Sequence, residues 1–334
     1  YSEINYLGFK DVFLNYIKLR KKASFLTDYI FDISPDLVIT IDSKLFSLNL
    51  AKLLKKKFMI NNRSIPLFHI VLPTIWAHSP KRALKWKGVH DQLISIIPNE
   101  KKYFDKYSIQ TKYLGNPFFE KIIFKKKNKK IKKVNDVCLI LPGSREKEIN
   151  YNIYPLIEAI KIINKNFKNV KWILPTLKVF KSKINYLLKK NNLHEKVKVI
   201  DFEKNYDLII NSKLAIACSG TVTLELALAG VPTIGIYKTD WLSAFIGKRI
   251  VNLKNVILPN FIIGKEIIPF LFQEKCNPFE IFLLFKEYYT NNTLYKKKFS
   301  VYSDSLLKKA GYKSFNERNK FGRQIANEIS KLIN

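Results

Sequence analysis

Short apolar runs rich in Val, Ile and Phe alternate with helical patterns along most of the chain. Most runs are continuously apolar, as is typical of strands buried on both faces of a parallel sheet. Alternation of strands and helices predicts a doubly wound α/β fold. The predicted strands are Leu37–Ile41, Leu67–Leu72, Gln92–Ile97, Val137–Leu141, Lys171–Leu174, Lys198–Ile200, Leu214–Ala217 and Thr233–Tyr237. The intervening helical patterns include Phe46–Lys56, Tyr154–Ile163 and Leu224–Ala229.

A basic run over residues 125–133 separates two strand–helix series. Because it is too polar to bury, it is typical of a linker or an exposed hairpin. We therefore expect one domain over residues 1–125 and a second over residues 126–334. The tail after Cys276 predicts helices, most clearly at Phe282–Tyr289 and Phe321–Ile333.

Length and charge narrow the function classes. The 334 residues fit two domains of about 150 residues each. Lys and Arg number 59 against 27 Asp and Glu, a net charge of +32. Two explanations of this positive charge stay open. One is a coding bias towards Lys, Asn and Ile, and the other is an anionic partner such as phosphates or a membrane surface.

The remaining composition excludes other classes. Three widely spaced cysteines without a CxxC motif argue against a disulfide framework and a zinc site, and favour a reducing compartment. No apolar run reaches the ~18 residues that a membrane span needs. GxGxxG and P-loop motifs are absent, which disfavours classical NAD enzymes and P-loop NTPases. The four histidines lack ligand spacing, so we expect no catalytic metal.

The segment 142–145 directly follows the strand Val137–Leu141. Gly143 permits a tight turn, and the N-terminus of the following helix offers N–H groups to an anion. Ser144 adds a hydroxyl, and the guanidinium of Arg145 suits phosphate oxygens. The segment is either a phosphate-binding turn or an ordinary strand-to-helix turn.

The same design recurs after the strand Leu214–Ala217. Ser219, Gly220 and Thr221 are small and open a helix, so backbone amides can approach an anion. We expect Glu225 within the first turn of that helix, where its carboxylate accepts from a ribose hydroxyl. Two such turns in one domain indicate a nucleotide across the carboxyl ends of a parallel sheet.

Asp42 ends the strand Leu37–Ile41, where α/β sheets place working residues. A helix N-cap or turn aspartate is the alternative interpretation.

Two amphipathic stretches combine apolar and basic residues. Phe9, Phe13 and Ile17 share a helical face, and Trp241 and Phe245 form a second stripe. Such stripes usually pack into a core. Aromatic faces flanked by lysine also bind membrane interfaces, and the positive net charge favours that second interpretation.

Taken in order, the motifs resemble those of the lipid-A-disaccharide synthase family of glycosyltransferases, over most of the chain. The segments that carry the resemblance are residues 35–42, Pro73 with Trp76-Ala77, residues 115–117, residues 141–145, Glu148-Ile149, residues 219–232, residues 258–260, residues 264–266 and Gln273-Glu274.

The resemblance implies a GT-B fold, two Rossmann-like domains facing a cleft, with C-terminal helices. It implies inverting transfer of 2,3-diacylglucosamine from UDP-2,3-diacylglucosamine to 2,3-diacylglucosamine-1-phosphate (lipid X), giving lipid A disaccharide-1-phosphate and UDP. Such enzymes work on the cytoplasmic face of the bacterial inner membrane, without a metal or other cofactor. The expected partners are therefore the two lipid substrates and an anionic membrane surface, with no specific nucleic acid.

Residue roles also follow from the resemblance. Asp42 matches the general base for the acceptor 6-hydroxyl, and Arg145 matches an arginine that stabilises the departing diphosphate. Asn260 matches an asparagine near the donor, and we expect it to be catalytic together with Asp42 and Arg145. The expected donor-binding residues are Gly143, Ser144, Arg145, Ser219, Gly220, Thr221, Glu225 and Asn260.

The chain departs from the family pattern in places. The strand and Ser-Gly-Asp loop that open the family have no counterpart, and the resemblance begins around Leu7-Gly8-Phe9, so we expect the first strands of the first domain to be missing. Asn116 replaces a usual histidine, and Lys265 replaces an arginine. His78 and Ser79 stand where an aromatic residue and an arginine are common.

Two alternative functions make different predictions about the sequence. Another UDP-sugar GT-B enzyme, such as the one that adds N-acetylglucosamine in lipid II synthesis, would carry a Gly-Gly-Ser-type turn in place of residues 142–145. A nucleic-acid-binding protein would explain the charge of +32. It would cluster its basic residues around exposed aromatics, whereas here they are spread along the chain.

Overall fold

A computed structural model describes residues 9–76, 79–127, 136–250, 252–312 and 320–333. The contacts divide these residues into two compact units. The first unit holds the described residues up to Pro117 together with the last helix, Lys320–Ile333, and the second begins at Phe118.

The compact units differ from the predicted domains 1–125 and 126–334 in two places. The helix Pro117–Lys127 lies mostly with the second unit, because Phe119 stacks on Tyr312 with ring centroids 5.8 Å apart. The last helix returns to the first unit, where Glu328 forms an ion pair with Lys112.

The first unit contains a four-stranded parallel sheet in sequential order. Its strands are β1 (Val38–Ile41), β2 (Leu67–Ile70), β3 (Gln92–Ser95) and β4 (Thr111–Tyr113). Its helices include α1 (Phe9–Ile33), α2 (Lys44–Ile60) and α3 (Lys102–Asp105), with a 3-10 helix at Pro80–Trp86. β2 and β3 are buried throughout, as their apolar runs predict, whereas the edge strand β1 exposes Ile39 and Ile41.

The second unit contains a six-stranded, wholly parallel sheet in the order β10-β9-β8-β5-β6-β7. Its strands are β5 (Val137–Leu141), β6 (Lys171–Thr176), β7 (Val197–Asp201), β8 (Leu214–Cys218), β9 (Thr233–Tyr237) and β10 (Phe270–Phe272). From β5 the chain builds outward to β7, then returns to place β8 on the other side of β5. The strand order therefore reverses between β5 and β8, the place where doubly wound sheets bind ligands.

Helices flank this sheet along the chain. They are α4 (Pro117–Lys127), α5 (Glu146–Asn166), α6 (Lys181–Lys190), α7 (Tyr206–Ile209), α8 (Thr221–Ala229), α9 (Trp241–Ile250), α10 (Leu253–Val256), α11 (Leu258–Ile263), α12 (Pro278–Thr290) and α13 (Asn292–Lys309), with 3-10 helices at Lys178–Phe180 and Gln273–Lys275. Helix α5 begins earlier than its predicted pattern, at Glu146, which places Glu148 in its first turn.

All of the predicted strands are present, and the predicted α/β class is confirmed. β4 and β10 were missed because each has three residues, too few to establish a pattern. In the part of the chain that the structure describes, no helix has the length and apolar character of a membrane span.

Candidate functional site

The two predicted phosphate turns lie side by side in the second unit. β5 and β8 pair directly, with Leu141 opposite Ala217, so the turns that follow them meet at the carboxyl edge of the sheet. This edge is the point where the strand order reverses.

The turn after β5 is closed by a carboxylate that the sequence reading did not place there. The backbone N–H of Ser144 donates to Oε2 of Glu148 at 3.0 Å, and Nη1 of Arg145 donates to Oε1 at 2.5 Å. Glu148 thus takes the backbone N–H of Ser144, and the predicted place of Ser144 at the donor stays a prediction. The N-cap residue of α5 is Arg145, not the Ser or Thr of a capping box, so no local sequence signature marks this contact.

Gly143 has a backbone φ of +134°, which favours glycine, and a Cβ there would lie 2.5 Å from Cβ of Glu148. Glycine at this position therefore allows the positive φ of the turn and leaves room for the Glu148 side chain. The side chain of Arg145 stays 53% exposed, so it is accessible to a ligand beside this turn.

The turn after β8 is more open. The N–H of Ser219 extends the sheet by donating to the carbonyl of Ile236 at 2.9 Å. Gly220 caps α8 in an extended conformation, and a Cβ added to it would meet nothing within 4 Å. The N–H groups of Thr221 and Val222 have no hydrogen-bond partner among the described residues, whereas that of Thr223 donates to the carbonyl of Gly220 at 3.2 Å. The start of α8 therefore attracts an anion.

Glu225 lies deeper than predicted. Because α8 begins at Thr221, Glu225 is one turn inside the helix, and the expectation of a first-turn carboxylate was wrong. The side chain is buried and close to Tyr206, where burial and the carboxylate together raise the pKa of the tyrosine. Its role at a ribose hydroxyl stays a prediction.

Two buried amides, which the sequence reading missed, fix the strand ends around the turns. Asn152 is fully buried; its Oδ1 accepts from the N–H of Lys238 at 2.8 Å, and its Nδ2 donates to the carbonyl of Pro142 at 3.2 Å. Gln273 forms two bonds to the backbone of Thr239, at 3.0 and 3.1 Å. They link the ends of β5, β9 and β10. Gln273 belongs to the Gln273-Glu274 segment of the resemblance, whereas Asn152 has no local sequence signature.

Asn260 lies in α11 and is buried. Its Oδ1 accepts from the N–H groups of Ile267 and Ile268 at 3.0 and 2.9 Å, and its Nδ2 donates to the carbonyl of Ile268 at 2.8 Å. The amide thus holds the backbone that leads into β10, and its predicted place among the catalytic groups stays a prediction.

Asp42 lies in the first unit, directly after β1. Its N–H donates to the carbonyl of Ile70 at 2.9 Å, and its side chain is exposed. Ser43, not Asp42, is the N-cap residue of α2, so the N-cap interpretation is wrong. Within the described ranges, the Asp42 carboxylate has no hydrogen bond or ion pair, so it is open to a ligand.

A buried carboxylate organises the same sheet edge in the first unit. Glu100 is fully buried, and accepts from Nε1 of Trp76 at 2.9 Å and from Oγ of Ser95 at 2.7 Å. Burial raises the pKa of Glu100 to about 7. Nearby on the edge, Nδ2 of Asn116 donates to the carbonyl of Ile96 at 2.6 Å.

The predicted membrane residues fall on α1 and α9. The structure describes only the backbone of Phe9, Phe13 and Ile17. On α9, Trp241 is 76% exposed and Phe245 is 46% exposed. The described part of α1 adds exposed residues that the sequence reading did not single out, namely Phe25, Tyr29 and Ile33.

Two of the positions that depart from the family pattern are His78 and Ser79. His78 lies outside the described residues, and Ser79 precedes the 3-10 helix Pro80–Trp86. No three His, Cys, Asp or Glu side chains within the described ranges group where a metal ion could bind.

Comparison with known proteins gives a family match across the chain. The family model described as lipid-A-disaccharide synthetase matches residues 1–325. A lipid-A-disaccharide synthase of Rickettsia canadensis is 32% identical, and the match covers 99% of this chain and 84% of the relative. A lipid-A-disaccharide synthase of Wigglesworthia glossinidia brevipalpis is also 32% identical, covering 83% of this chain and 72% of the relative.

Among solved structures, the UDP-GlcNAc 2-epimerase of Neisseria meningitidis bound to UDP-GlcNAc superposes with a TM-score of 0.62 at 14% identity. The match covers 97% of this chain and 82% of that one. At this identity the likeness bears on fold alone, and it confirms two Rossmann-like domains of the GT-B type.

Proposed function

The chain belongs to the lipid-A-disaccharide synthetase family, and from that membership we propose its reaction and the residues that perform it. It is a glycosyltransferase of lipid A biosynthesis. It transfers 2,3-diacylglucosamine from UDP-2,3-diacylglucosamine to lipid X, with inversion at the anomeric carbon. The single observation that carries the site assignment is that Arg145 and the α8 N-terminus follow two directly paired strands, β5 and β8, where the strand order reverses.

The donor diphosphate lies at the open turn between β8 and α8. The free N–H groups and positive end of α8 receive one phosphate, with Ser219, Gly220 and Thr221 at the contact. Arg145, exposed at the neighbouring turn, faces the diphosphate from the side of β5. As the bond from the sugar to the diphosphate breaks, negative charge grows on UDP and the guanidinium stabilises it.

Asp42 acts as the general base. Its carboxylate takes the proton of the acceptor 6-hydroxyl while that oxygen attacks the anomeric carbon. The new carbon–oxygen bond forms on the face opposite the departing UDP, which gives the β(1→6) linkage. An exposed carboxylate without a partner among the described residues supports this role.

The enzyme works at the cytoplasmic face of an inner membrane, where both acylated substrates reside. Exposed apolar side chains on α1 and α9, namely Phe25, Tyr29 and Trp241, support contact with the interface. The basic residues Lys248 and Arg249 end α9 beside this apolar face and favour anionic lipid headgroups.

Calorimetric titration of UDP tests the nucleotide site. We expect the chain to bind UDP, and Arg145→Ala to weaken binding by about tenfold or more, because a charge-assisted contact to phosphate is lost. Lys171→Ala is the matched control, since it removes an exposed cation where β6 begins, at the opposite edge of the same sheet. Equal affinity of the Arg145 variant and the control would contradict the assignment.

A further inference from the structure

Glu148 forms a two-sided clamp within the turn after β5. One carboxylate oxygen accepts from Nη1 of Arg145 at 2.5 Å, and the other accepts from the N–H of Ser144 at 3.0 Å. The Glu148 side chain is only 10% exposed, whereas that of Arg145 is 53% exposed. The carboxylate of Glu148 is therefore the buried, fixed member of the pair, and the Arg145 side chain is the accessible one.

The Glu148 side chain fills the space that a side chain at Gly143 would need. A Cβ at Gly143 would lie 2.8 Å from Oε2 of Glu148 as well as 2.5 Å from its Cβ. The carbonyl of Glu148 accepts from Nδ2 of Asn152 at 2.8 Å, which ties the backbone at that position to the same network. Side chain and backbone of Glu148 are thus both held in place.

We propose that Glu148 is a positioning residue that presents the Arg145 guanidinium to the donor diphosphate. The inference rests on the proposed function, which places UDP at this sheet edge. Binding through Nη1 leaves the other N–H groups of the guanidinium for phosphate oxygens, and arginine carries enough of them for both partners. Because the long side chain is ordered before the ligand arrives, less conformational entropy is lost on binding.

The opposite role would be competition, in which the carboxylate occupies the place of a phosphate. The two roles predict opposite signs for the same substitution. Removing a positioning carboxylate weakens UDP binding, whereas removing a competing anion strengthens it.

A double-mutant cycle with UDP as the probe distinguishes these roles. We expect Glu148→Gln to weaken UDP binding three- to tenfold, and to cost less than twofold when Arg145 is already alanine. In the transfer reaction, Glu148→Gln lowers kcat while KM for lipid X stays unchanged. A purely structural cap would weaken binding equally in both backgrounds.

Glu146→Gln is the matched control. Glu146 also lies in the first turn of α5, but its Oε1 binds Nζ of Lys183 at 2.8 Å instead of Arg145. It removes the same charge from the same helix end, so we expect UDP affinity within twofold of the wild type. Glu148→Asp is a second variant, which keeps the charge with a shorter reach; we expect it to fold and to lose affinity only while Arg145 is present.

Three results would overturn the proposal. Tighter UDP binding by Glu148→Gln would make the carboxylate a competitor. An equal loss in the Arg145→Ala background would make it a structural cap. An unchanged affinity of Arg145→Ala alone would overturn the proposed nucleotide site itself, and that result is separate from the other two.

Discussion

Two consecutive residues with positive φ mark the end of β1. Asp42 has φ +49° and Ser43 has φ +45°, a region that non-glycine residues seldom occupy. Such strained positions cluster at functional sites, where the surrounding structure holds them. Here the hydroxyl of Ser47 donates to the backbone carbonyl of Asp42 at 2.7 Å, which holds the backbone of the turn that carries the carboxylate.

Replacing this carboxylate tests the general base. We expect Asp42→Asn to lower the transfer rate by about 10²-fold or more, since an amide cannot take the hydroxyl proton. UDP affinity should stay within twofold, because the proposed nucleotide contacts lie in the second unit. The control is Asp36→Asn, an exposed aspartate at the other end of the same strand. Wild-type turnover of the Asp42 variant would exclude it as the base.

Glu100 makes the stability of the first unit depend on pH. Its pKa is raised by burial to about 7, so between pH 4.5 and 7 the folded state holds a proton that the unfolded state has released. Stability therefore falls as pH rises through this window, by about 3 kcal/mol at most, and is level above it. His69 and His90 act oppositely: burial lowers their pKa values to about 3 and 4, so stability is lost as pH falls below 6.5.

Comparing the wild type with Glu100→Gln cancels the histidine contribution. We expect the stability of the wild type relative to the variant to fall between pH 4.5 and pH 8. Urea unfolding would be followed by the fluorescence of Trp76 and Trp86, with Trp172 and Trp241 replaced by Phe so that only the first unit reports. A difference that is independent of pH would show that Glu100 titrates normally.

At the scale of elements, the apolar runs were sufficient to predict the long buried strands and their parallel arrangement. The apolar runs did not predict the three-residue strands β4 and β10, because those residues are strands through pairing with a neighbouring strand and not through a local pattern. Site prediction follows the same rule. The turns at Gly143 and Gly220 have local signatures. Asn152 has none, because it acts on the backbone of Lys238, far along the chain.

The exposed apolar faces of α1 and α9 carry a prediction about membranes. We expect serine at Phe25, Tyr29, Trp241 and Phe245 together to lower cosedimentation with anionic phospholipid vesicles severalfold, because apolar area is lost from the interface. Vesicles of neutral lipid should bind the wild type less, since the basic residues then lack partners.

Helix α13 supplies the matched control for this experiment. Leu294 and Val301 are 51% and 57% exposed, comparable to the residues changed on α1 and α9. Serine at both positions should leave vesicle binding unchanged. If both sets of substitutions had equal effects, the binding surface would not be specific to α1 and α9.

At the scale of the whole molecule, the last helix is the least predictable part of the chain. The sequence pattern predicts a helix at Phe321–Ile333, and the structure confirms it as Lys320–Ile333. Its contacts, however, place it with the first unit. Which unit the helix packs against depends on partners such as Lys112, which lies far away in sequence. Family membership, in turn, selects the glycosyltransferase over a nucleic-acid-binding protein, although both fit a net charge of +32.

The most direct measurement incubates the chain with UDP-2,3-diacylglucosamine and lipid X, and quantifies UDP and lipid products by mass spectrometry and NMR. We expect disaccharide-1-phosphate and UDP in equal amounts, with a β(1→6) linkage and no dependence of either product on added metal. UDP released without disaccharide, or an α-linked product, would contradict inverting transfer to lipid X.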